Sequence, residues 1–186
     1  FFPLNSKNNN LPRRNLYLIG FMGTGKTVVG EMTAMKLGLR FVDSDQEITR
    51  NEGKEISAIF EQSGEKRFRE MEMKFIMDGH PSHGCLVSCG GGLPVARGML
   101  ELLKQRGMVI TLWASPETIF QRTKENSTRP LLQVEDPLAE ITNLLESREA
   151  TYLAADQMIS TEMRSAKAVS ELVARAYEEN QSTGEN

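Results

Sequence analysis

The chain has 186 residues, of which 39% are hydrophobic and 25% are charged, and its formal net charge is −3. This length and composition predict one globular domain with a buried core. A mildly acidic chain without a run of basic residues is a poor nucleic-acid binder. Its longest strongly apolar stretches, Leu16–Met22 and Met108–Ala114, are too short to span a bilayer. We therefore expect a protein that binds neither nucleic acid nor a membrane.

The two ends of the chain differ in composition from its middle. Phe1–Arg14 is polar and Asn-rich, so we expect a disordered arm over 1–14, a single domain over 15–180 and a disordered tail over 181–186. Cys85 and Cys89 lie in an apolar run; on a strand they would be about 13 Å apart, too far for a disulfide or one shared metal ion. Buried free thiols favour a reducing compartment, so we expect a cytoplasmic location.

Short apolar runs alternate with helical patterns along the domain. We predict strands at Leu16–Ile19, Leu39–Val42, Cys85–Ser88, Met108–Ala114 and Met158–Ser160. We predict helices up to Leu37 with Gly38 as C-cap, over Glu55–Asp78 with a break at Ser63-Gly64, over Val95–Arg106 with Gly107 as C-cap, from Pro116, over Pro137–Ala154 and over Ser165–Glu178. This alternation predicts a parallel sheet covered on both faces, with ligands at the carboxyl ends of its strands.

A glycine-rich segment follows the first predicted strand. Gly20–Thr27 reads GFMGTGKT and matches the P-loop pattern, in which backbone N–H groups at a helix N-terminus bind phosphate oxygens. In such a loop Lys26 reaches the β- and γ-phosphates and the Thr27 hydroxyl binds Mg²⁺. The alternative is a glycine-rich turn that only opens a helix. We expect the nucleotide to contact Gly23, Thr24, Gly25, Lys26 and Thr27.

Two acidic residues end the second predicted strand. Asp43 and Asp45 are separated by one residue, so they are able to serve different tasks, one near a metal ion and one near a substrate hydroxyl. The alternative is an acidic turn in which Asp45 is the N-cap of a following helix. The P-loop upstream favours the functional interpretation.

Three glycines follow the third predicted strand, and four arginines lie further along the chain. Gly90, Gly91 and Gly92 suit a place where a ligand lies against main chain, although a flexible turn is the alternative. The arginines are Arg69, Arg122, Arg129 and Arg148, each of which taken alone is more often a surface residue. The segment at about 123–137 is polar and contains two prolines, so we interpret it as a lid that closes over phosphates.

Taken together, these motifs resemble the shikimate kinase family. The P-loop, the DSDQEI segment, the FRE triplet at 68–70, the three glycines, RPLL at 129–132 and the R-x-x-x-Y pattern at 148–152 have that family's order and similar spacing over Asn15–Glu178. The resemblance implies a P-loop NTPase fold of the nucleoside-monophosphate-kinase type, three-layered α/β/α with a five-stranded parallel sheet. It also implies transfer of the γ-phosphoryl of ATP to the 3-hydroxyl of shikimate, by an enzyme that we expect to be a monomer.

The resemblance implies roles on the nucleotide side of the site. Lys26 would hold the phosphates as a catalytic residue, and Thr27 would bind Mg²⁺. Asp43 would lie near the water shell of that ion. Arg129 would be the catalytic lid arginine on the phosphates, and Arg122 would pack on the adenine.

The resemblance also implies roles on the substrate side. Asp45 would contact the substrate hydroxyls and take up the proton. Arg69 and Arg148 would clamp the substrate carboxylate, because a planar carboxylate is best held by paired guanidinium groups. The pocket would be lined by Gly90, Gly91 and Gly92.

Two other functions remain open on the sequence. A gluconate-type kinase would share the P-loop but would have no need for two carboxylate-binding arginines. A catalytically inactive regulatory relative would usually lack one of Lys26, Asp45 or Arg69, and all three are present.

Overall fold

The computed structural model describes residues 13–124 and 134–183. Most of the expected arm, the central part of the expected lid with Arg129, and the last three residues of the chain lie outside the described residues. The strands are β1 (Asn15–Ile19), β2 (Arg40–Asp43), β3 (Cys85–Ser88), β4 (Gly107–Trp113) and β5 (Gln157–Ser160). The helices are α1 (Lys26–Leu37), α2 (Ser44–Glu52), α3 (Ile56–Asp78), α4 (Met99–Arg106), α5 (Pro116–Thr123), α6 (Pro137–Leu153) and α7 (Ala166–Thr183).

The five strands form one parallel sheet in the order β2-β3-β1-β4-β5. The central strand β1 pairs on both sides, with Leu16 opposite Leu86 of β3 and Met108 of β4. Every residue of β1 is buried, as expected for a parallel strand covered on both faces. The predicted α/β fold with a five-stranded parallel sheet is therefore confirmed.

Alternate residues of β1 belong to two separate cores, one on each face of the sheet. On one face Leu18 belongs to a core that includes Ile110 of β4 and Val173 of α7, and this core lies between the sheet and helices α1 and α7. On the other face Tyr17 belongs to a core that includes Phe75 of α3 and Ile141 of α6. The sheet is thus the middle of three layers, and each strand terminates at the same edge.

Several predicted boundaries differ from those of the structure. The helix predicted from Val95 begins at Met99, because Leu93–Val95 forms a short 3₁₀ turn and Gly98, at φ 77°, precedes the helix as its N-cap. Gly107 closes this helix as predicted, with its N–H donating to Leu103 O, but it is extended and also begins β4. The second strand was predicted one residue too early, since β2 begins at Arg40.

The long helix α3 has the predicted break. Gly64 has φ 75° and ψ 169°, so the chain changes direction there between two helical parts. At the other end of the chain, α7 continues to Thr183, beyond the predicted end at Glu178 and into the segment expected to be a tail. Within the described residues, no helix is both long enough and apolar enough to cross a membrane.

Candidate active site

The P-loop joins β1 to α1 at the carboxyl edge of the sheet. Gly20 has φ 139°, and a Cβ there would lie 2.3 Å from Leu112 O of β4. Gly23 has φ 78°, and a Cβ there would lie 2.8 Å from Thr123 Cγ2 of α5. Both positions require glycine, because the conformation and the space exclude a side chain. These close contacts hold the main chain of the loop in a tight turn that leads into the N-terminus of α1.

Lys26 is the first residue of α1 and folds back over the loop. Its Nζ donates hydrogen bonds to Gly20 O and to Phe21 O, each at 2.9 Å. Thr24, by contrast, is 1% exposed, and its Oγ1 donates to Phe21 O at 2.8 Å. The buried Thr24 side chain therefore stabilises the conformation of the loop, while Lys26 lines the adjacent cleft.

Thr27 and Asp43 bring two oxygen atoms together at the ends of α1 and β2. Thr27 Oγ1 donates to Asp43 Oδ2 at 3.2 Å. Within the described ranges no group of three or more His, Cys, Asp or Glu residues is placed to hold a metal ion. One hydroxyl and one carboxylate suit Mg²⁺, because Mg²⁺ in phosphate sites keeps water and phosphate oxygens as its other ligands. The residues therefore fit the cation that the P-loop implies.

The N-cap of α2 is Asp43, not Asp45. Asp43 Oδ1 accepts the backbone N–H groups of Asp45 at 3.1 Å and Gln46 at 3.3 Å. The sequence pattern placed the cap two residues too late, because the helix starts directly where β2 ends. Asp43 thus has one oxygen on the helix and the other toward Thr27, and the Asp45 carboxylate is left for the site.

Asp45 lies against the three-glycine turn. A Cβ at Gly90 would be 2.4 Å from Asp45 Oδ1, and Ser44 Oγ accepts the N–H of Gly90 at 2.9 Å. Burial raises the pKa of Asp45, with the Asp43 charge adding to the rise, and Lys26 opposes it. A partly buried carboxylate with a perturbed pKa, close to the charge of a P-loop lysine, is typical of a functional site.

Gly90 and Gly92 are needed for space rather than for backbone conformation, since neither of them has a positive φ. Side chains of the site lie where their Cβ atoms would be. A Cβ at Gly92 would lie 2.7 Å and 2.8 Å from the terminal nitrogens of Arg69. Tyr152 Oη donates to Gly91 O at 3.1 Å. Three side chains from elsewhere in the chain therefore lie against consecutive residues of the turn: the Asp45 carboxylate at Gly90, the Tyr152 phenol at Gly91 and the Arg69 guanidinium at Gly92.

Arg69 is held by two glutamates of its own helix, α3. Nη1 donates to Glu72 Oε2 at 2.7 Å, and Nη2 donates to Glu65 Oε1 at 2.9 Å. Burial lowers the pKa of Arg69, but Glu72 and Glu65 outweigh burial and raise it. Glu72 is 1% exposed, and burial raises its pKa to about 7 against the effect of Arg69.

Arg148 reaches the site from α6. Its guanidinium lies 5.5 Å from the centre of the Phe21 ring in the P-loop. Burial raises the pKa of Tyr152, and a hydrogen bond and the charge of Arg148 oppose the rise. Arg148 is therefore placed between the P-loop and the tyrosine that binds the three-glycine turn.

Arg122 of α5 lies on the other side of the P-loop. Its Nη1 donates to Thr161 Oγ1 at 2.9 Å and to Gly23 O at 3.3 Å. Glu162 accepts the N–H of Ser115 at 2.6 Å and the hydroxyl of Thr118 at 2.8 Å, so it ties down the start of α5. The segment after β5 thus fixes both the helix and the guanidinium next to the phosphate loop.

A single cleft of about 370 Å³ joins most of these groups. Among the predicted site residues, its lining includes Gly23, Gly25, Lys26, Thr27, Asp43, Asp45, Gly90, Gly91 and Arg122. Thr24, Arg69, Gly92 and Arg148 are not part of that lining, although Gly92 directly follows Gly91 and a Cβ at Gly92 would meet Arg69. Arg129 lies outside the described residues, so its place in the site stays a prediction.

Several site residues were not predicted from the sequence. Ser44, Glu72, Thr161 and Glu162 act through contacts with residues distant in sequence or through burial, and no local pattern indicates them. Tyr152 stands in the R-x-x-x-Y pattern, which was the signal available for it.

The parallel sheet, the P-loop between β1 and α1, and the Thr27–Asp43 pair define a P-loop nucleotide-binding protein of the kinase type. Within that class, the three glycines together with Asp45 and Arg69 match the pattern for which the sequence resembles the shikimate kinase family. The family model described as "Shikimate kinase" matches residues 22–178, so the chain belongs to the shikimate kinase family.

Known relatives agree with this assignment. The chain is 43% identical to a shikimate kinase of Thermodesulfovibrio yellowstonii over 89% of this chain and 95% of the relative. It superposes on the structure of shikimate kinase from Acinetobacter baumannii in complex with shikimate with a TM-score of 0.85, 37% identity, and coverage of 91% of this chain and 95% of that chain. A gluconokinase from Sinorhizobium meliloti, 14% identical with a TM-score of 0.61 and coverage of 93% of this chain and 98% of that chain, shares the fold alone.

Proposed function

We propose that this protein transfers the γ-phosphoryl group of ATP to the 3-hydroxyl of shikimate. The observation that carries the proposal is that Lys26 of the P-loop and Asp45 line the same cleft. A nucleotide bound to the loop would present its terminal phosphate toward an alcohol held beside Asp45. Phosphoryl transfer depends mainly on such positioning and on neutralisation of charge.

The nucleotide side of the cleft supplies positive charge. Backbone N–H groups around Gly25 and the ammonium of Lys26 would bind the β- and γ-phosphates. Thr27 and Asp43 would hold Mg²⁺, which when bound neutralises phosphate charge. Arg122 lies beside Gly23 and would pack against the adenine.

The substrate side of the cleft orients the alcohol. Arg69 and Arg148 would bind the carboxylate of shikimate, and Asp45 would accept a hydrogen bond from its 3-hydroxyl. The bond between the γ-phosphorus and the β,γ-bridging oxygen breaks as the hydroxyl oxygen forms a new bond to that phosphorus. Asp45 would receive the hydroxyl proton, and ADP would be the leaving group.

We further propose that the enzyme works as a monomer in the cytoplasm. Cys85 and Cys89 support the compartment, because both are buried free thiols that suit a reducing environment. ATP and shikimate would be its partners.

A coupled assay of ADP formation tests the proposal. With Mg²⁺ and ATP, we expect ADP release that depends on shikimate and is not replaced by gluconate. Lys26→Ala should lower kcat at least about 100-fold, because it removes charge that acts on the transferring group. Its unfolding temperature should stay close to that of the wild type. Binding of ATP without turnover of shikimate would refute the proposal.

A further inference from the structure

Glutamates bind two edges of the Arg69 guanidinium, and the close approach of Gly92 closes the third. Glu72 Oε2 accepts from Nη1 at 2.7 Å, and Glu65 Oε1 accepts from Nη2 at 2.9 Å and from Nε at 3.3 Å. The remaining edge, between Nη1 and Nη2, abuts Gly92, where a Cβ would lie within 2.8 Å of both nitrogens. A substrate carboxylate that binds Arg69 must therefore replace an existing partner.

The two glutamates differ in how easily they are replaced. Glu72 has a side chain that is 1% exposed, so its departure would leave a charge buried without a partner. Glu65 is 67% exposed and lies one residue after the Gly64 break in α3. Exposed helical ion pairs contribute little to stability, because water solvates both groups when they separate. The edge held by Glu65 is the one that opens.

That edge is also the one suited to a carboxylate. Nε and Nη2 present parallel N–H groups, the geometry in which arginine binds a carboxylate with two hydrogen bonds. Glu65 already places a carboxylate oxygen there. It occupies this edge as a ligand carboxylate would.

We propose that Glu65 competes with the substrate carboxylate for the Nε–Nη2 edge of Arg69 and so sets the affinity of the site for shikimate. This inference rests on the proposed function, in which Arg69 binds that carboxylate. Glu72 keeps its hold on Nη1 throughout and maintains the guanidinium in place against Gly92. Substrate binding then exchanges one carboxylate for another, and Glu65 moves into solvent.

Calorimetric titration of shikimate into the nucleotide-free protein tests the competition. Glu65→Gln should lower the Kd for shikimate about twofold to fivefold, the range expected for release of an exposed ion pair. Glu70→Gln is the matched control, since Glu70 forms an exposed ion pair with Arg67 at 3.0 Å on the same helix. It removes the same charge from α3 and should leave the Kd unchanged. The Kd for ATP should not change in either variant.

The methyl ester of shikimate separates competition from a general effect of charge. The ester has no negative charge for Arg69, so Glu65→Gln should not tighten its binding. An unchanged or weaker affinity for shikimate in Glu65→Gln, or equal tightening for acid and ester, would overturn the inference. If the wild type forms ADP with shikimate, such a result leaves the proposed function intact. If the wild type neither binds nor phosphorylates shikimate, both the function and the inference fail.

Discussion

Asp45 and Gly90 approach each other so closely that a Cβ on the glycine would lie 2.4 Å from the carboxylate oxygen Oδ1. The two residues are far apart in sequence but adjacent in space, because β2 and β3 are neighbours and both end at this edge. The glycine is thus part of how the acid is positioned.

Gly90→Ala should therefore damage turnover without damaging the backbone. Gly90 has no positive φ, so alanine introduces a clash with Asp45 rather than strain in the main chain. We expect kcat/KM for shikimate to fall at least about tenfold, since a displacement of about 1 Å in a catalytic group costs that much or more. Steady-state kinetics and the Kd for ATP measure the two effects, and the Kd for ATP should change little.

Gly91→Ala provides the comparison for this variant. A Cβ at Gly91 would have Met22 N at 3.5 Å as its nearest neighbour, which is an ordinary contact. Its loss of kcat/KM should be clearly smaller. Equal losses in the two variants would mean that the turn tolerates no side chain at all, and that Asp45 is not the reason for glycine at position 90.

A feature of this site could be predicted from the sequence when the residues that form it are close together in the chain. The P-loop was predictable from GFMGTGKT because its phosphate-binding groups are consecutive main-chain amides followed by Lys26. The three glycines were also visible, but their cause was not. The expected reason was a ligand against main chain, whereas Asp45 and Arg69 themselves occupy the space beside Gly90 and Gly92.

Features set by packing were beyond prediction. Asp43 rather than Asp45 caps α2 because the helix follows β2 without a connecting turn. The pattern of apolar residues does not locate the end of a strand to within one residue, so it did not identify the cap. Glu72 is a glutamate on a helix like many others in the chain, and its burial beside Arg69 follows from the packing of α3. The fold class, by contrast, follows from alternation along the whole chain, which does not depend on single boundaries.

Asp45→Asn should lower kcat at least about 100-fold, because the amide cannot receive the proton of the alcohol. In the wild type, burial and the Asp43 charge raise the pKa of Asp45 above its usual 3.8. The carboxylate is the active form, so kcat/KM should fall as the pH falls through that raised pKa. A pH profile of kcat/KM measures the acid limb. A limb at or below 3.8, or a variant with near-normal kcat, would contradict the role of Asp45.

Arg148→Ala and Arg122→Ala should affect different substrates. Arg148 lies by Phe21 and Tyr152, whereas Arg122 lies by Gly23 and Thr161. Loss of a hydrogen bond to a charged group costs about 1.5–3 kcal/mol, so KM for shikimate should rise at least about tenfold in Arg148→Ala. The KM for ATP should change less in that variant.

The reciprocal result is expected for Arg122→Ala, with a rise in KM for ATP and a smaller effect on shikimate. Both constants are read from the same two-substrate kinetic series. Parallel changes of both constants in both variants would indicate that neither arginine is specific to one ligand.

His80 and Glu72 should make the stability of the fold depend on pH in opposite directions. Burial is the main cause that lowers the pKa of His80, a buried ring whose Nε2 lies 3.4 Å from Tyr17 Oη. The unfolded chain then binds more protons at this residue, so its contribution to stability is complete above 6.5 and is lost as the pH falls below 6.5. For Glu72, whose pKa is raised from 4.5 to about 7, the contribution is complete below 4.5 and is lost as the pH rises through about 7.

Denaturant unfolding of the wild type, His80→Gln and Glu72→Gln between pH 5 and pH 8 separates the two effects. The difference in free energy of unfolding between the wild type and His80→Gln should increase with pH up to about 6.5, because glutamine does not titrate. The difference in free energy of unfolding between the wild type and Glu72→Gln should decrease as the pH rises from 5 through about 7. Each variant retains the other group, so contributions that both share with the wild type cancel in the differences. Two differences with the same sign of slope would show that burial does not favour the neutral forms of both side chains.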